Sequence, residues 1–379
     1  MAIRATAAAT VFGMAGQAGA VSFGTGGYEA NLYGFARVAA SYDIDEDIAS
    51  GGQSGNFSSI STGSGDTADG HFGMDANTSR IGLSVMSPQD VKVVVEFDFD
   101  NNDSLEPRLR HAYGEYQGVL IGRNWSNYNS FVGNTSGLDF DSLPGLAGTQ
   151  GRTEQIRYTS GPFSVSLEEP ANSVGNGLDA DGDPELKDTK SGTPAFTARM
   201  EDSAGGLAYS AAVMVKQTAY DTGSDDDSAI GYAAFLAGKF AVTDMISIQG
   251  AINYGDGATG YVYRAGGNFG QYDAYVDADD DIETVEAYGG AIGASVSLGG
   301  GRSVNLGYGM ATVDLDDAVD DTALTSAVTD TNTMAFLNYQ WSPVEKVKMG
   351  VEYAYLETET QGGDDGDANR LMFLAQYSF

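Results

Sequence analysis

The segment LMFLAQYSF, residues 371–379, ends the sequence on an aromatic side chain after a regular alternation of apolar and smaller or polar residues. In an extended strand every second side chain shares a face, so one face of this segment carries Leu371, Phe373, Ala375, Tyr377 and Phe379. The chain as a whole is strongly acidic, with a formal net charge of -34 at pH 7. The segment therefore predicts a β-strand whose apolar face meets either a protein core or lipid.

The composition favours β-structure along the whole chain. The 379 residues include 52 Gly and 21 Tyr but only 8 Pro. Gly tolerates the dihedral angles of tight turns, and Tyr suits a pleated surface. Because no segment approaches the roughly 18 consecutive apolar residues of a membrane helix, a helical membrane protein is excluded. We predict an all-β fold.

The same alternation recurs in segments of about ten residues along the chain. In VKVVVEFDFD (residues 91–100) and VKMGVEYAYLE (residues 347–357), apolar residues occupy one face, and charged or small residues predominate on the other. A soluble sandwich and a membrane barrel both show this pattern. Periodicity alone therefore does not say whether the apolar face meets a core or lipid.

The connections between these segments distinguish the two folds. Short turn-like connections, such as residues 87–90 and 299–301, alternate with long stretches rich in Asp, Gly, Ser and Asn, such as residues 43–70. Outer-membrane barrels have short periplasmic turns and long extracellular loops, whereas a sandwich would leave the C-terminal apolar strand as an unprotected edge. We predict a closed antiparallel transmembrane β-barrel of about 16 strands. The predicted strand centres are Phe35, Ile81, Val95, Ala112, Ile121, Ile156, Val165, Ala198, Ala212, Ala234, Ile248, Gly290, Gly307, Leu337, Val351 and Phe373.

The third long connection differs from the acidic ones. Residues 128–151, between the fifth and sixth predicted strands, carry Phe131, Leu138, Phe140, Leu143 and Leu146. Apolar side chains of this size gain free energy when they leave water. We therefore predict that this third loop folds into the lumen of the barrel.

The first 20 residues have the layout of a secretory signal. Arg4 precedes a small and apolar middle, and Ala18-Gly19-Ala20 matches an A-x-A cleavage site. We predict a signal peptide over residues 1–20 and a single barrel domain over residues 21–379. The alternative is a short helical anchor or plug that stays attached, because the basic region is brief.

Several features together resemble the Gram-negative outer-membrane trimeric porin family across nearly the whole mature chain. They are the segment LYGFARVAASYD (residues 32–43), the apolar third loop, the acidic external loops and the C-terminal Phe379. The segments at residues 107–128 and 153–170 are most similar to the DcaP-like branch of this family, which is linked with uptake of dicarboxylates and other anions.

This resemblance implies a passive diffusion channel for small hydrophilic solutes in the outer membrane of a Gram-negative bacterium. It also implies a homotrimer, contact with outer-membrane lipid and lipopolysaccharide, and insertion by the barrel assembly machinery. In this family an ending such as Tyr377 and Phe379 is the assembly signal, and both side chains would face lipid in the lower aromatic girdle. Small residues in the first five strands, such as Ala36, Ala112 and Gly114, suit contact between barrels.

Arginines lie on the polar faces of several predicted strands. A guanidinium that faces lipid at mid-depth costs on the order of 2 to 4 kcal/mol, so these side chains should point into the lumen. The third loop would press two carboxylates toward this basic wall. The predicted pore constriction consists of Arg37, Arg80, Arg110, Arg123, Arg157, Arg199, Asp139 and Asp141.

Two interpretations of this constriction remain open. Rings of charged side chains select permeating ions, and Arg makes bidentate contacts to carboxylates, so the arginines could form a ladder that guides anions. Alternatively, they pair with lumenal carboxylates such as Glu96, Asp98 or Glu154 and merely stiffen the pore.

The acidic loops contain only weak candidates for a metal site. Asp179, Asp181 and Asp183 resemble part of a calcium loop, but the Gly and the bidentate Glu of an EF-hand do not fall at the required positions. The clusters at residues 225–227 and 279–281 could hold Ca²⁺ or Mg²⁺ or simply keep the surface soluble. We predict no cofactor. The alternative function is a structural or adhesive outer-membrane barrel whose acidic loops bind divalent cations.

No catalytic motif is present. Cys is absent, and His71 and His111 belong to no nucleophile elbow, zinc helix motif or P-loop. A pI near 4.1 would repel nucleic acid phosphates everywhere except inside the pore. We predict neither an enzyme nor a nucleic-acid-binding protein.

Overall fold

A computed structural model describes most of the chain. The described residues are 20–49, 53–63, 68–100, 106–178, 184–186, 189–269, 272–277, 280–321 and 323–379. The predicted signal peptide lies outside them, except for Ala20, and stays a prediction.

Twenty-two strands form within the described residues. They are β1 (Val21–Thr25), β2 (Tyr28–Asp43), β3 (His71–Asp75), β4 (Arg80–Met86), β5 (Lys92–Asp98), β6 (Arg108–Tyr116), β7 (Val119–Trp125), β8 (Arg152–Ser160), β9 (Phe163–Glu168), β10 (Val174–Leu178), β11 (Pro184–Leu186), β12 (Ala195–Ala204), β13 (Leu207–Asp221), β14 (Asp226–Ala241), β15 (Ile246–Asp256), β16 (Ala274–Val276), β17 (Ile282–Thr284), β18 (Glu286–Gly299), β19 (Arg302–Asp314), β20 (Thr329–Trp341), β21 (Val347–Thr360) and β22 (Asp365–Ser378).

Sixteen antiparallel wall strands close into a barrel. β3 and β4 act as one wall strand, because β3 pairs with residues 39–43 of β2 and β4 with residues 29–35. Each later wall strand pairs with the one before it, and β22 returns to β2 along a register from Phe35↔Ser378 to Asp43↔Arg370. All sixteen predicted centres lie in wall strands, so the predicted fold class is confirmed.

β1 adds a short hairpin that the alternation did not predict. It pairs with the start of β2, from Val21↔Leu32 to Thr25↔Tyr28, through the turn Gly26-Gly27. Both turn residues have positive φ, 63° and 80°, which glycine adopts without strain and which suits a two-residue hairpin.

The two faces of each wall strand differ as the alternation predicted. On β22, Leu371, Phe373 and Tyr377 are exposed on the outside, while Arg370 and Met372 are buried on the inside. Phe379 is also partly exposed beside the outer surface. The apolar set therefore faces outward, toward lipid.

The wall differs in height around the barrel. β5, β7 and β9 contain 7, 7 and 6 residues, whereas β13 and β14 contain 15 and 16. The connections at the short-turn end are all brief, as predicted. At the long-loop end two connections, residues 222–225 and 361–364, are also short, because their strands extend further instead. The prediction of strict alternation in connection length was wrong at these two places.

The other long loops carry structure of their own. β10, β11, β16 and β17 form a separate four-stranded sheet, and one short helix, α1, spans Asp316–Asp320. Two 3-10 turns span Phe57–Ser59 and Thr259–Tyr261. In the part of the chain that the structure describes, no helix is long and apolar enough to cross a membrane.

Candidate functional site

The loop between β7 and β8, residues 126–151 and called loop 3 below, lies inside the barrel, as predicted. Leu138 and Leu143 are 1% and 0% exposed, and Leu138 packs with Met372 and Leu374 of β22. A side chain at Gly350 of β21 would meet Leu138 at 3.0 Å, so the wall approaches the loop closely there. Loop 3 thus covers inward-facing apolar residues and narrows the lumen.

Glu352 of β21 anchors the middle of loop 3. Its carboxylate accepts the backbone N–H groups of Leu138 at 2.7 Å and Asp139 at 3.2 Å. The Asn338 amide donates to Glu352 at 2.8 Å and to the carbonyl of Ser136 at 2.7 Å. Glu352 was not among the predicted site residues, although a charged residue on the inner face of β21 is a signal that could have identified it.

The two predicted loop carboxylates join loop 3 to other loops. The buried Asp139 carboxylate accepts the N–H groups of Gly55 at 2.7 Å and Ser142 at 2.9 Å, and Arg264 lies 3.8 Å away. The Asp141 N–H donates to Ser54 Oγ. Burial raises the pKa of the Asp141 carboxyl, while Arg264 opposes the shift. Both aspartates therefore have structural contacts at the top of loop 3, although Arg37 is close enough to interact with them electrostatically.

Two of the predicted arginines are paired with carboxylates inside the barrel. Arg110 is 1% exposed and bonds to Glu96 at 3.0 Å and to Asp98 at 2.6 Å. Arg80 lies 3.3 Å from Glu96. Arg108 donates two hydrogen bonds of 2.9 Å to Asp98. Asp98 therefore pairs with both Arg108 and Arg110. In this part of the wall, the contacts agree with the interpretation in which arginines pair with lumenal carboxylates and stiffen the pore.

Three predicted arginines form no ion pair within the described residues. Arg37 donates to the Leu138 carbonyl at 2.9 Å and lies 5.6 Å from the ring of Phe140. Arg199 donates to the carbonyl of Asn129. Arg37, Arg157 and Arg199 each keep a buried Nε without a hydrogen-bond partner. All three residues are partly exposed, and none has a carboxylate within salt-bridge distance among the described residues.

Arg123 is placed on the outside of the barrel, contrary to the prediction. It lies two residues from Ile121, which is 59% exposed, and it bonds to Glu154 of β8 at 2.9 Å. The inward residues at this level are Leu120 and Gln155, both buried. Residues two apart on a strand share a face, so Arg123 follows Ile121 outward.

The barrel also holds inward cations that were not predicted, among them Arg152 and Lys348. Arg152, the first residue of β8, stacks over Trp125 at 4.1 Å and has an unpartnered Nε. It was missed because it sits at the boundary between loop 3 and its strand. Lys348 of β21 is near enough to Arg37 and Glu352 to interact with both. The described lumen therefore holds a basic wall on β2, β4, β6, β8 and β12, while loop 3 bonds to β15, β20 and β21.

The predicted acidic metal site lies outside the described residues. Asp179, Asp181 and Asp183 belong to that part of the chain, as does Asp279. Within the residues that the structure covers, no group of three His, Asp or Glu side chains could hold a metal ion.

A closed barrel with an apolar outer face, a charged lumen and an internal loop is the architecture of an outer-membrane porin. The sequence model described as DcaP outer membrane protein matches residues 24–379, so the chain belongs to the DcaP outer membrane protein family. It is an outer-membrane channel and not an enzyme, which confirms the predicted class and localisation.

Solved structures show the same architecture. The outer membrane channel DcaP of Acinetobacter baumannii is 27% identical, with a TM-score of 0.79 over 95% of this chain and 100% of that chain. The anion-selective porin from Comamonas acidovorans is 13% identical, with a TM-score of 0.57 over 93% of this chain and 100% of that chain. The trimer form of OmpT of Vibrio cholerae is 14% identical, with a TM-score of 0.53 over 93% of this chain and 99% of that chain. No curated protein matches the chain.

Proposed function

We propose that this channel lets small hydrophilic anions, dicarboxylates among them, diffuse passively through the lumen, guided by the arginines of the basic wall. The observation that carries the proposal is the set of lumenal guanidinium groups without ion pairs: Arg37, Arg157 and Arg199. Arg makes planar bidentate contacts to carboxylates, and a second nearby guanidinium could hold the other end of a dicarboxylate.

The paired and unpaired arginines have different roles in this proposal. Arg80 and Arg110 are neutralised by Glu96 and Asp98, so they stiffen the wall. The unpaired groups supply the positive potential that attracts anions. The acidic external surface acts in the opposite sense, because its carboxylates attract cations. Exposed charges are screened over about 10 Å at 0.1 M salt, while charges in a narrow pore are screened less.

The comparisons support the proposal at a coarser level. The chain shares its family with a DcaP channel, and one solved structure of the same fold is an anion-selective porin. A trimer form among the porin structures supports a homotrimer here. We also propose that outer-membrane lipid and lipopolysaccharide surround the barrel, and that the barrel assembly machinery reads Tyr377 and Phe379.

The test is the reversal potential of the purified protein in a planar bilayer under a salt gradient, at low and high ionic strength. Arg157→Gln and Arg199→Gln each remove a lumenal guanidinium, and Arg302→Gln, exposed at the short-turn end, is the matched control. We expect anion selectivity that falls in the first two variants and not in the control. Cation selectivity indifferent to all three would refute the arginine mechanism.

An absence of conductance in a folded preparation would instead favour the structural or adhesive barrel. In that case the acidic loops become the candidate site, and calcium titration by calorimetry measures whether they bind divalent cations.

A further inference from the structure

We propose that Trp125 and Phe140 are positioning residues of the pore, whose ring faces hold lumenal arginines in fixed orientations without cancelling their charge. This role rests on the proposed anion selectivity, and it adds Arg152 to the arginines that act on the solute. Three observations carry it: the stacking of rings and guanidinium groups, the absence of a carboxylate partner for Arg152 within the described residues, and the repulsion of Arg152 by its neighbours.

Trp125 is held between the barrel wall and loop 3. It is the last residue of β7, where the wall strand ends and loop 3 begins. Its ring makes T-shaped contacts with Phe131 of loop 3, at 5.0 Å between centroids, and with His111 of β6, at 5.7 Å. T-shaped pairs are favourable because the positive edge of one ring meets the negative face of the other. These contacts place the ring of Trp125 inside the barrel, where it is partly exposed.

Guanidinium groups and aromatic rings alternate along this side of the lumen. The guanidinium of Arg152 lies 4.1 Å over the ring of Trp125, and that of Arg110 lies 6.0 Å from the same ring. Arg110 lies 5.9 Å from the ring of Phe140, and Arg37 lies 5.6 Å from it. A cation within about 6 Å of a ring centroid is attracted to the ring face. We call these five residues the aromatic–arginine column.

A ring face orients a guanidinium group differently from a carboxylate. A carboxylate binds the N–H donors at the edge of the group and cancels its charge, whereas a ring carries no net charge and contacts the flat face. Within the described residues the Arg152 side chain forms no ion pair or hydrogen bond, and its buried Nε has no partner. Its stacked contact with Trp125 thus fixes the group while its positive charge stays uncompensated. A passing carboxylate can bind the edge donors without displacing a protein carboxylate.

Arg152 needs this support because its neighbours repel it. Arg80, Arg108 and Arg110 are all near enough to interact with Arg152 electrostatically, and Asp98 is the attractive charge in the same group. Asp98 already bonds to Arg108 and Arg110. Like charges repel one another more strongly in a narrow, poorly solvated site than in water. Removal of the stacked ring should therefore let the Arg152 side chain turn away from its present orientation.

The first test removes the ring face of Trp125. Trp125→Leu removes it, Trp125→Phe keeps a smaller one, and Trp341→Leu is the matched control, because Trp341 shares the outward face of β20 with Leu337. A heat-modifiable gel band shows that each variant is folded, and the reversal potential in a planar bilayer gives the ratio of anion to cation permeability. We expect this ratio to fall several-fold in Trp125→Leu and to stay close to that of the parent in the other two variants. A Trp125→Leu channel with a higher conductance and the parent's ratio would show that the ring merely fills space, which overturns the proposal.

A double-mutant cycle tests whether Trp125 acts through Arg152. Arg152→Gln alone should lower the permeability ratio as Trp125→Leu does. Because effects of residues that act together are not additive, adding Trp125→Leu to Arg152→Gln should change the ratio little further. Fully additive effects would show that the ring acts independently of Arg152 and contradict the proposal. The same cycle with Phe140→Leu and Arg37→Gln tests the other end of the column.

A spectroscopic test keeps Trp125 in place and needs no ion current. The chain has 2 Trp, so Trp341→Phe leaves Trp125 as the sole source of Trp fluorescence. Iodide and caesium quench this fluorescence by collision, and a positive potential concentrates the anion at the ring. Each quenching constant is measured in detergent relative to that of free N-acetyltryptophanamide.

We expect the relative quenching by iodide to exceed that by caesium several-fold at low salt. In the same background Arg152→Gln should remove most of this difference, and Arg302→Gln, exposed at the short-turn end, should leave it unchanged. Equal quenching by the two ions, or a difference that survives Arg152→Gln, would overturn the proposal.

The outcome is separable from that of the proposed function. An anion-selective pore whose permeability ratio is indifferent to Trp125→Leu would refute the column and leave the proposed function standing. A pore without anion selectivity, in which Arg152 concentrates iodide at Trp125, would do the reverse.

Discussion

The carboxylate of Glu352 accepts the backbone N–H of Leu138 at 2.7 Å, which ties the middle of loop 3 to the inner face of β21. The same carboxylate also holds the N–H of Asp139 and the amide of Asn338. One side chain thus satisfies two backbone donors of a loop that has no regular structure of its own at this point. The width of the lumen depends on that attachment.

Glu352→Ala should release loop 3 and change the current through the pore. Hydrogen bonds to a charged group contribute about 1.5–3 kcal/mol each, and the substitution removes several. We expect higher and noisier single-channel conductance in planar bilayers. Glu357→Ala, near the long-loop end of the same strand, should leave the conductance unchanged. A Glu352→Ala channel with the conductance and noise of the parent would show that loop 3 is held by its apolar contacts alone.

Asp43→Asn should destabilise the seam between β2 and β22. Arg370 is 0% exposed and bonds to Asp43 through Nε at 2.5 Å and Nη2 at 2.8 Å. Removing one partner of a buried ion pair costs about 3–5 kcal/mol, because the other charge stays buried. The temperature at which the folded band disappears on a gel should fall by several degrees.

The double variant Asp43→Asn with Arg370→Met is the internal control for the seam. It removes both charges, so it should recover part of the loss. Asp45→Asn, where the carboxylate bonds to the neutral Asn369, should have a smaller effect than Asp43→Asn. If Asp43→Asn, the double variant and Asp45→Asn all lose the folded band at the same temperature, the Asp43–Arg370 ion pair does not contribute to closure of the barrel.

Asp273→Asn should loosen two external loops together. Lys216, on the inner face of β13, bonds to Asp273 at 2.7 Å and to the carbonyl of Ala171 at 2.7 Å. The variant leaves a buried ammonium group without its counter-charge. Proteolysis within residues 169–194 should become several-fold faster. Lys190→Met removes an exposed pair in the same region, and it should leave the cleavage rate as in the parent.

The raised pKa of Asp141 predicts a pH-dependent gain in stability for Asp141→Asn. A carboxyl whose pKa rises on folding contributes stability below its unfolded pKa, near 3.8, and that contribution is lost as the pH rises through the folded pKa. The variant cannot ionise, so its free energy of unfolding should exceed that of the parent at pH 7. The difference should vanish below about pH 3.8, which urea titrations at the two pH values would measure. A variant less stable than the parent at pH 7 would contradict the assignment.

Strand positions and the course of loop 3 were predictable because each depends on a local pattern. The outer face is apolar on nearly every wall strand, so alternate residues such as Leu371 and Phe373 mark it. Loop 3 carries more large apolar side chains than a solvated loop, and one of them, Leu143, is fully buried. Both signals come from the preference of single side chains for water or lipid.

The contacts of the lumenal arginines were not predictable from the same patterns. Arg110 pairs with Glu96 and Asp98 across a register shift in the β5–β6 pairing, which no alternation reveals. Arg123 was misplaced because Leu120 and Ile121 are both apolar, so the outward face of β7 was ambiguous. Pairing across strands depends on register, and register is a property of two segments rather than one.

The hairpin of β1 and β2 places the beginning of β1 close to the end of β22. Phe379 donates its backbone N–H to Gly34 at 3.0 Å, and Val21 pairs with Leu32 two residues further along the same edge of β2. β22 and β1 are both antiparallel to β2, so they run in the same direction, one after the other. In three dimensions the segment from Val21 to Phe379 is close to a ring with a small gap. A linker of a few residues from Phe379 to Val21, with a new opening at residues 222–225, should give a circularly permuted barrel with the same wall.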